Sequence, residues 1–391
     1  MTIEKLLDNY RDLSKHITVR HIDPVEQPNF AAKYTSEQIY NNTLIVDNGR
    51  RSKVLGYYDI YQYSGSYYSD SYDVSFAGES ALTSALDYVT NSELPVAYCL
   101  SGHGEAALPD SLVKKIKDDN FILNNELSLL SLQALPEDCE LLIINAAQTD
   151  ISAEDKDKIM AYLQGGGKLL LVTGLFENGE TQANLEELMA YYGVSQAEGI
   201  VIEGDENYTV WNFNYYLLPD LDTISEITAP LAEGGYRVLV PVARGLNISP
   251  NLREGLEVRG LLTTSKSSFA KPEGWSISSY DKAEGDIDGP FELAVAVTEG
   301  ETGIVIISSA NMLDDGTNST VSGANHDFFL NAMGWLSGEE NSISIRAKSL
   351  REPTLVVTSG ESTRMSLIIV VLLPLLLLGI GIFVFVRRKR R

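Results

Sequence analysis

Cysteine is scarce in this chain: Cys99 and Cys139 are the only two in 391 residues, too few for a disulfide framework. Each adjoins an apolar run with strand character, so both read as small core residues. No Cys-x-x-Cys occurs, which excludes dithiol redox chemistry. Histidine is almost as rare, at four, and no pair has the H-x-x-x-H spacing of a helical metal site. Positive charge is short as well: 30 basic residues face 54 acidic ones, net −24, and setting aside the five basic residues at the C-terminus leaves −29 on the rest. A surface of that sign repels nucleic acid and anionic lipid, so no nucleic-acid partner is expected. The first ten residues, Met1 to Tyr10, have neither the basic n-region nor the apolar h-region of a secretory leader.

One long apolar run is present. Ser366 to Val386 is uncharged over 21 residues and is followed by Arg387-Arg388-Lys389-Arg390-Arg391. At about 1.5 Å per residue, such a helix covers roughly 30 Å, the thickness of a bilayer's hydrocarbon core. Pro374 is compatible with this, because mid-membrane prolines are tolerated where neighbouring groups take up the freed carbonyl. Residues 366–386 therefore read as a transmembrane helix. The tail 387–391 reads as cytoplasmic by the positive-inside rule, and the bulk of the chain as extracytoplasmic. A body of that size needs a signal to cross, so an upstream signal anchor, missing from this sequence, is expected.

Before the span, helix and strand alternate. In residues 1–75, Ile3, Leu6, Leu7, Tyr10 and Leu13 recur at helical spacing. His16 to Ile22 alternates as a strand ended by Asp23-Pro24, and Thr43 to Val46 and Lys53 to Ile60 read as strands around Asn48-Gly49. That order is similar to the second half of a thioredoxin fold. The tyrosine-rich stretch Tyr57 to Tyr72 reads first as an exposed hairpin with cross-strand tyrosine pairs, and second as a surface for stacking on sugar rings. Residues 76–346 carry βα units: apolar strands at Pro95 to Leu100, Glu140 to Asn145, Lys168 to Thr173 and Gly303 to Ser308, with helices opening at Pro109-Asp110 and Ser152 and another at Asn325 to Leu336. Continuous apolar strands alternating with helices predict an α/β, doubly wound parallel sheet covered on both faces. Residues 200–300 are less regular, with strands expected at Tyr236 to Val242, Val258 to Thr264 and Phe291 to Val297. Residues 347–365 read as a polar linker.

Several stretches invite a chemical reading. Gly102-His103-Gly104-Glu105-Ala106-Ala107 after a strand matches G-x-G-x-x-A, but the next helix opens only near Pro109 and no clear strand ends at Glu126, so a dinucleotide site is not supported. Gly165-Gly166-Gly167-Lys168 fails as a phosphate loop, because Leu169 stands where Ser or Thr would bind magnesium and the loop precedes a strand. No cofactor is expected. The turn after Lys168 to Thr173, Gly174-Leu175-Phe176, carries no nucleophile. Ser309 with His326 is the one conceivable Ser and His pair. Polar groups at strand ends, including Gln148 and Asp150, suit hydrogen bonding. The ligand-binding candidates are Ser101, Gly102, His103, Gly104, Glu105, Asn145 and Asn311.

Taken in order, Leu6-Leu7-Asp8-Asn9-Tyr10 with Ile22-Asp23-Pro24, Gly78-Glu79-Ser80-Ala81-Leu82-Thr83, Leu100 to Glu105, Ile151-Ser152 leading to Tyr162-Leu163-Gln164-Gly165-Gly166-Gly167-Lys168-Leu169, Asn325 to Asn331 with Trp335-Leu336, and Pro374 before a basic tail resemble one family. It is that of the GldG-like extracytoplasmic auxiliary proteins of ABC transporters. The resemblance covers nearly the whole chain. It implies a central domain like that of class I glutamine amidotransferases without the catalytic Cys, His and Glu. It also implies an ABC permease and a separate ATPase as partners, and an association with gliding motility. Where such proteins carry an acidic residue after a late strand, this chain has Ser308-Ser309-Ala310-Asn311. The expectation is a non-enzymatic, membrane-anchored auxiliary subunit contacting permease or cargo. The alternatives are an envelope carbohydrate or peptidoglycan binder and a hydrolase or amidotransferase with a displaced active site.

Overall fold

The structure, a computed structural model, describes residues 3–36, 38–65, 72–91, 93–175, 182–338, 348–349 and 356–390. Helix α1 (Ile3–Leu13) precedes the antiparallel hairpin β1 (Leu44–Asp47) and β2 (Ser52–Leu55). The Asn48 side-chain oxygen accepts from the N–H groups of Arg50 and Arg51 at 2.9 and 2.8 Å and so fixes the turn. A second hairpin, β3 (Tyr61–Gly65) and β4 (Tyr72–Phe76), forms, but the expected cross-strand tyrosine pairs do not: Tyr61 is opposite Phe76, Tyr63 opposite Val74 and Tyr72 opposite Gly65, while Tyr67 and Tyr68 lie outside the described residues. Leu6, Ile60 and Phe76 bury against Leu82 of α2 (Gly78–Thr90), so this layer is held on the first helix of the larger unit.

Two further expectations fail here. Residues His16 to Arg20 alternate in exposure like a strand, yet His16 to Ile22 pair with no strand among the described residues. The strand expected over Lys53 to Ile60 stops at Leu55, because the Gly56 N–H donates to the Asp59 carboxylate at 2.8 Å and opens a helical turn, Tyr57–Ile60. The thioredoxin-like order thus keeps its helix and hairpin without the first strand.

The main sheet is built from β5 (Val96–Leu100), β6 (Ile122–Leu127), β7 (Leu141–Asn145) and β8 (Lys168–Val172). After a side hairpin, β9 (Thr209–Val210) and β10 (Phe213–Leu217), come β11 (Leu256–Thr263), β12 (Glu292–Glu299) and β13 (Thr302–Ile307). The spatial order is β11-β12-β13-β8-β7-β5-β6. From β13 to β6 the strands run parallel, while β11 and β12 extend the sheet antiparallel. β6 was missed in the sequence because it is an edge strand whose Asn124, Asn125 and Glu126 face partly outward. Of the strand expected over Tyr236 to Val242, only Val240–Pro241 pairs, with Tyr216 and Leu217.

Both faces are covered because apolar residues fill both registers of the pleat. Leu141, Ile143, Leu170, Val172, Val305 and Ile307 point to α3 (Asp110–Asp118) and α6 (Ala324–Ser337), meeting Leu112, Ile116, Phe328, Phe329 and Met333. Their neighbours Leu142, Ile144, Leu169, Leu171, Ile304 and Ile306 meet Ile159 and Leu163 of α4 (Ala153–Gln164) and Leu185 and Leu188 of α5 (Ala183–Tyr191). Each such side chain, fully buried, contributes about 1.5–3 kcal/mol. The parallel half is the doubly wound layer that the sequence predicts.

The chain ends in one helix of 31 residues, Ser359–Lys389, long and apolar enough to cross a membrane and with its most apolar stretch entirely outside the packing. It comprises α7 (Ser359–Ser366), a π-helical turn (Leu367–Leu372) and α8 (Leu373–Lys389). In the wide turn the Leu373 N–H donates to the Ile368 carbonyl, five residues back. It adjoins Pro374, whose ring cannot donate and crowds the preceding turn. The segment expected as a linker is part of the fold: Lys348–Ser349 pairs with β4, and Ser359 and Gly360 are buried.

Candidate functional site

From β5 the chain passes outward to edge strand β6, then returns to the other side of β5 as β7 and continues to β8. The connections leave in opposite directions, so the C-terminal ends of β5 and β7 flank a switch point, where open α/β sheets leave a crevice for ligands. Ser101, Gly102, His103, Gly104 and Glu105 follow β5, and Asn145 ends β7. The fold brings these six residues to one place.

His103 organises the loop. Its backbone N–H donates to Glu105 Oε2 at 2.8 Å, its Nδ1 lies 3.0 Å from Glu105 Oε1, and its Nε2 lies 3.2 Å from Asp155 Oδ2 in the first turn of α4. The three side chains are 12%, 7% and 10% exposed. Beyond Asp155, Lys158 Nζ stands 3.6 Å from Oδ1 and donates to the Leu129 carbonyl at 2.9 Å. The His103 carbonyl accepts from the N–H groups of Gln148 and Thr149 at 2.9 and 3.0 Å, which ties the loop after β5 to the loop after β7. Gly104 makes this approach possible, with φ +74° and a position where a Cβ would stand 3.2 Å from Cβ of Gln148.

Asn145 completes the junction. Its Nδ2 donates to the Ala106 carbonyl at 2.8 Å, and the Ala106 N–H returns a bond of 2.8 Å to the Asn145 carbonyl. Its Oδ1 is buried without a partner, as is Ser308 Oγ at the end of β13. The next residue, Ala146, is buried and holds φ +50°, a conformation that L-residues avoid. This is the strained strand-end position of the sheet, and it carries a methyl group. The sequence pointed instead to Gly174; Gly174 and Leu175 follow β8 in an irregular segment, and Phe176 lies outside the described residues.

Other candidates are committed elsewhere. Asn311 lies exposed in the 3-10 turn after β13, three strand spacings from β5, or roughly 14 Å. It is not part of the His103 site. Ser309 Oγ donates to the Pro241 carbonyl and His326 Nε2–H to the Leu313 carbonyl, so the two form no dyad. Asp150 caps α5, accepting from the N–H groups of Asn184 and Leu185 at 2.8 and 3.1 Å. Burial pushes the Cys99 thiol up to about 12 and the Cys139 thiol up to about 11; both are free, and neither is a nucleophile at neutral pH. Asp155 was missed: in Ser152-x-x-Asp155 it reads as a helix-start acid, and Ser152 Oγ does accept its N–H at 3.0 Å. Among the described residues no group of three or more His, Cys, Asp or Glu side chains is arranged to hold a metal ion.

No family model and no curated protein matches the chain. Among solved structures it is similar to the N-terminal domain of mmIFT52, with 14% identity, 62% of this chain and 98% of that one covered, and a TM-score of 0.47. It is also similar to a ThuA-like protein from Bacteroides uniformis (14% identity, 64% and 96% covered, TM-score 0.36). A third is a glutamine amidotransferase from Thermotoga maritima (9% identity, 63% and 99% covered, TM-score 0.36). The α/β assignment itself stands on the strand order and registers given above.

Proposed function

We propose that this chain is a non-enzymatic, membrane-anchored auxiliary subunit of a GldG-like ABC transport system, with its α/β body outside and residues 387–391 in the cytoplasm. The observation that carries the reading is Ala146: the strand end beside the His103 loop, bent as a nucleophile would require, presents a buried methyl group. The nearest imidazole network, around His103, is spent on holding the two crest loops together. The 31-residue helix supplies the anchor. In this reading the body contacts a permease or its cargo, and a separate ATPase supplies energy.

The test is purification of the full chain from native membranes in mild detergent. Co-elution of a multi-span permease and an ATPase is expected; elution of the chain alone defeats the transporter reading. Turnover of acyl, amide or ester probes that is lost in His103→Ala would overturn the non-enzymatic half.

A further inference from the structure

The side hairpin β9–β10 turns through two residues, Trp211 and Asn212, with Val210 paired to Phe213. Both turn residues have positive φ, 57° and 58°. Such a turn suits the hairpin's twist but selects Asn, Asp or Gly. Asn212 fits. Trp211 does not, and a bulky residue held in that conformation at an exposed tip points to a use for its side chain.

The tip displays an aromatic surface. Trp211 is 55% exposed and Phe213 45%. Trp211 and Phe213 both contact Tyr216, Phe213 contacts Tyr215, and Tyr215 contacts Tyr216 and Tyr280, with ring centroids 5.3–5.7 Å apart along the chain of contacts.

The position of this surface identifies what covers it. Ser359 Oγ, in the first turn of the helix that continues into the apolar span, accepts from the Asn212 N–H at 2.9 Å and meets Thr209 Oγ1 at 2.9 Å. Asn212 also lines a cavity of about 290 Å³ together with Thr363, one turn further along. By helical rise, Ser359 stands about 10 Å, and Thr363 about 4.5 Å, above Ser366, where the uncharged run starts. The headgroup layer is roughly 5–8 Å deep on each side of the hydrocarbon. Thr363, across the cavity from Asn212, therefore falls within that layer and Ser359 just beyond it, so the hairpin tip stands at the outer boundary of the headgroups whenever the helix is in a bilayer. Tryptophan and tyrosine concentrate at that depth because an apolar ring and a polar N–H or O–H suit an interface that is greasy below and wet above.

We infer that the Trp211–Phe213 tip seats in the interface of the bilayer that holds the helix, giving the outer body a second attachment to the membrane. The chain's acidic balance selects zwitterionic phospholipid for this contact over anionic lipid. The inference needs the helix to span, and is independent of transporter partners and of the direction of insertion.

The experiment reconstitutes the full chain in nanodiscs of phosphatidylcholine, and in matching discs whose acyl chains are brominated just below the glycerol. Bromine quenches only tryptophans in contact with lipid. Brominated discs should lose roughly a third of the tryptophan emission, the share of one of three tryptophans. Trp211→Phe should abolish the loss, whereas Trp275→Phe, which removes the other strongly exposed indole, should preserve it. Equal emission in plain and brominated discs overturns the inference and leaves the tip to a protein partner. Quenching that survives Trp211→Phe also overturns it. A chain that does not co-elute with discs at all refutes the membrane-spanning reading instead, and this one with it.

Discussion

The hydroxyls of Thr209 and Ser359, 150 residues apart in sequence, meet at 2.9 Å in a buried contact. Through it the start of the C-terminal helix is fastened to the α/β body. Thr358 stands immediately before, its Oγ1 accepting the Glu361 N–H at 3.2 Å while its own N–H donates to the Glu361 carboxylate at 3.0 Å. The helix start is thus capped and docked at once.

Ser359→Ala is expected to destabilise this joint by about 1–3 kcal/mol, since the Asn212 N–H loses its partner and the buried Thr209 hydroxyl keeps only a longer bond of 3.4 Å to the Glu206 carbonyl. Thr358→Ala should cost about 1 kcal/mol through the lost cap. Limited proteolysis within residues 347–358, faster in both variants while the core remains resistant, is the check.

His103→Ala should lower stability by about 1–3 kcal/mol, because the buried carboxylates of Glu105 and Asp155 lose the imidazole between them and keep only the residue-103 backbone N–H and the longer Lys158 contact. The amide hydrogens of Gln148 and Thr149, which bond to the His103 carbonyl, should then exchange faster. Unchanged exchange at those two amides would show that the loops hold together without the imidazole.

Ala146→Gly should fall within about 1 kcal/mol of wild type. Relief of about 1–2 kcal/mol of left-handed strain offsets the lost methyl burial, about 0.8 kcal/mol, and the added freedom of the unfolded chain. Ala146→Val, β-branched at φ +50°, should cost more than about 2 kcal/mol. Chemical denaturation of the pair separates strain from packing.

His326 sets a pH dependence. Burial holds its imidazole below the ordinary histidine value of 6.5, while Nε2 bonds to the Leu313 carbonyl and Nδ1 has no partner. The folded state therefore binds fewer protons than the unfolded one just below pH 6.5. Its contribution is complete above that pH and is lost as the pH falls towards the folded value. The melting temperature should drop on acidification from pH 7.5 to 5, and the drop should be smaller in His326→Gln. Parallel profiles for the two proteins would exclude His326 as the cause.

The parallel half of the sheet was legible because β7, β8 and β13 are buried on both faces, so Leu141 to Asn145, Lys168 to Val172 and Thr302 to Ile307 read as unbroken apolar runs. β6 was not, because an edge strand needs apolar residues on few positions. His16 to Ile22 shows the converse: alternation announces an extended segment, but a strand requires a neighbour that local pattern does not reveal. At the crest, the glycine loop and Asn145 were readable from their place after strands. The part played by Asp155 was hidden, since it faces a histidine 52 positions away. Asn311 was misplaced because chain order does not say which strand ends are adjacent.

One consequence follows from the docking of α7. A helix whose apolar length exceeds the local bilayer tilts, commonly by about 20°, and α7 is shared between that helix and the body's own hydrogen bonds. Whatever part of such a lean the π-turn Leu367–Leu372 and Pro374 do not absorb would reach the body through α7, so changing lipid chain length should reorient the sheet only as far as that joint is stiff.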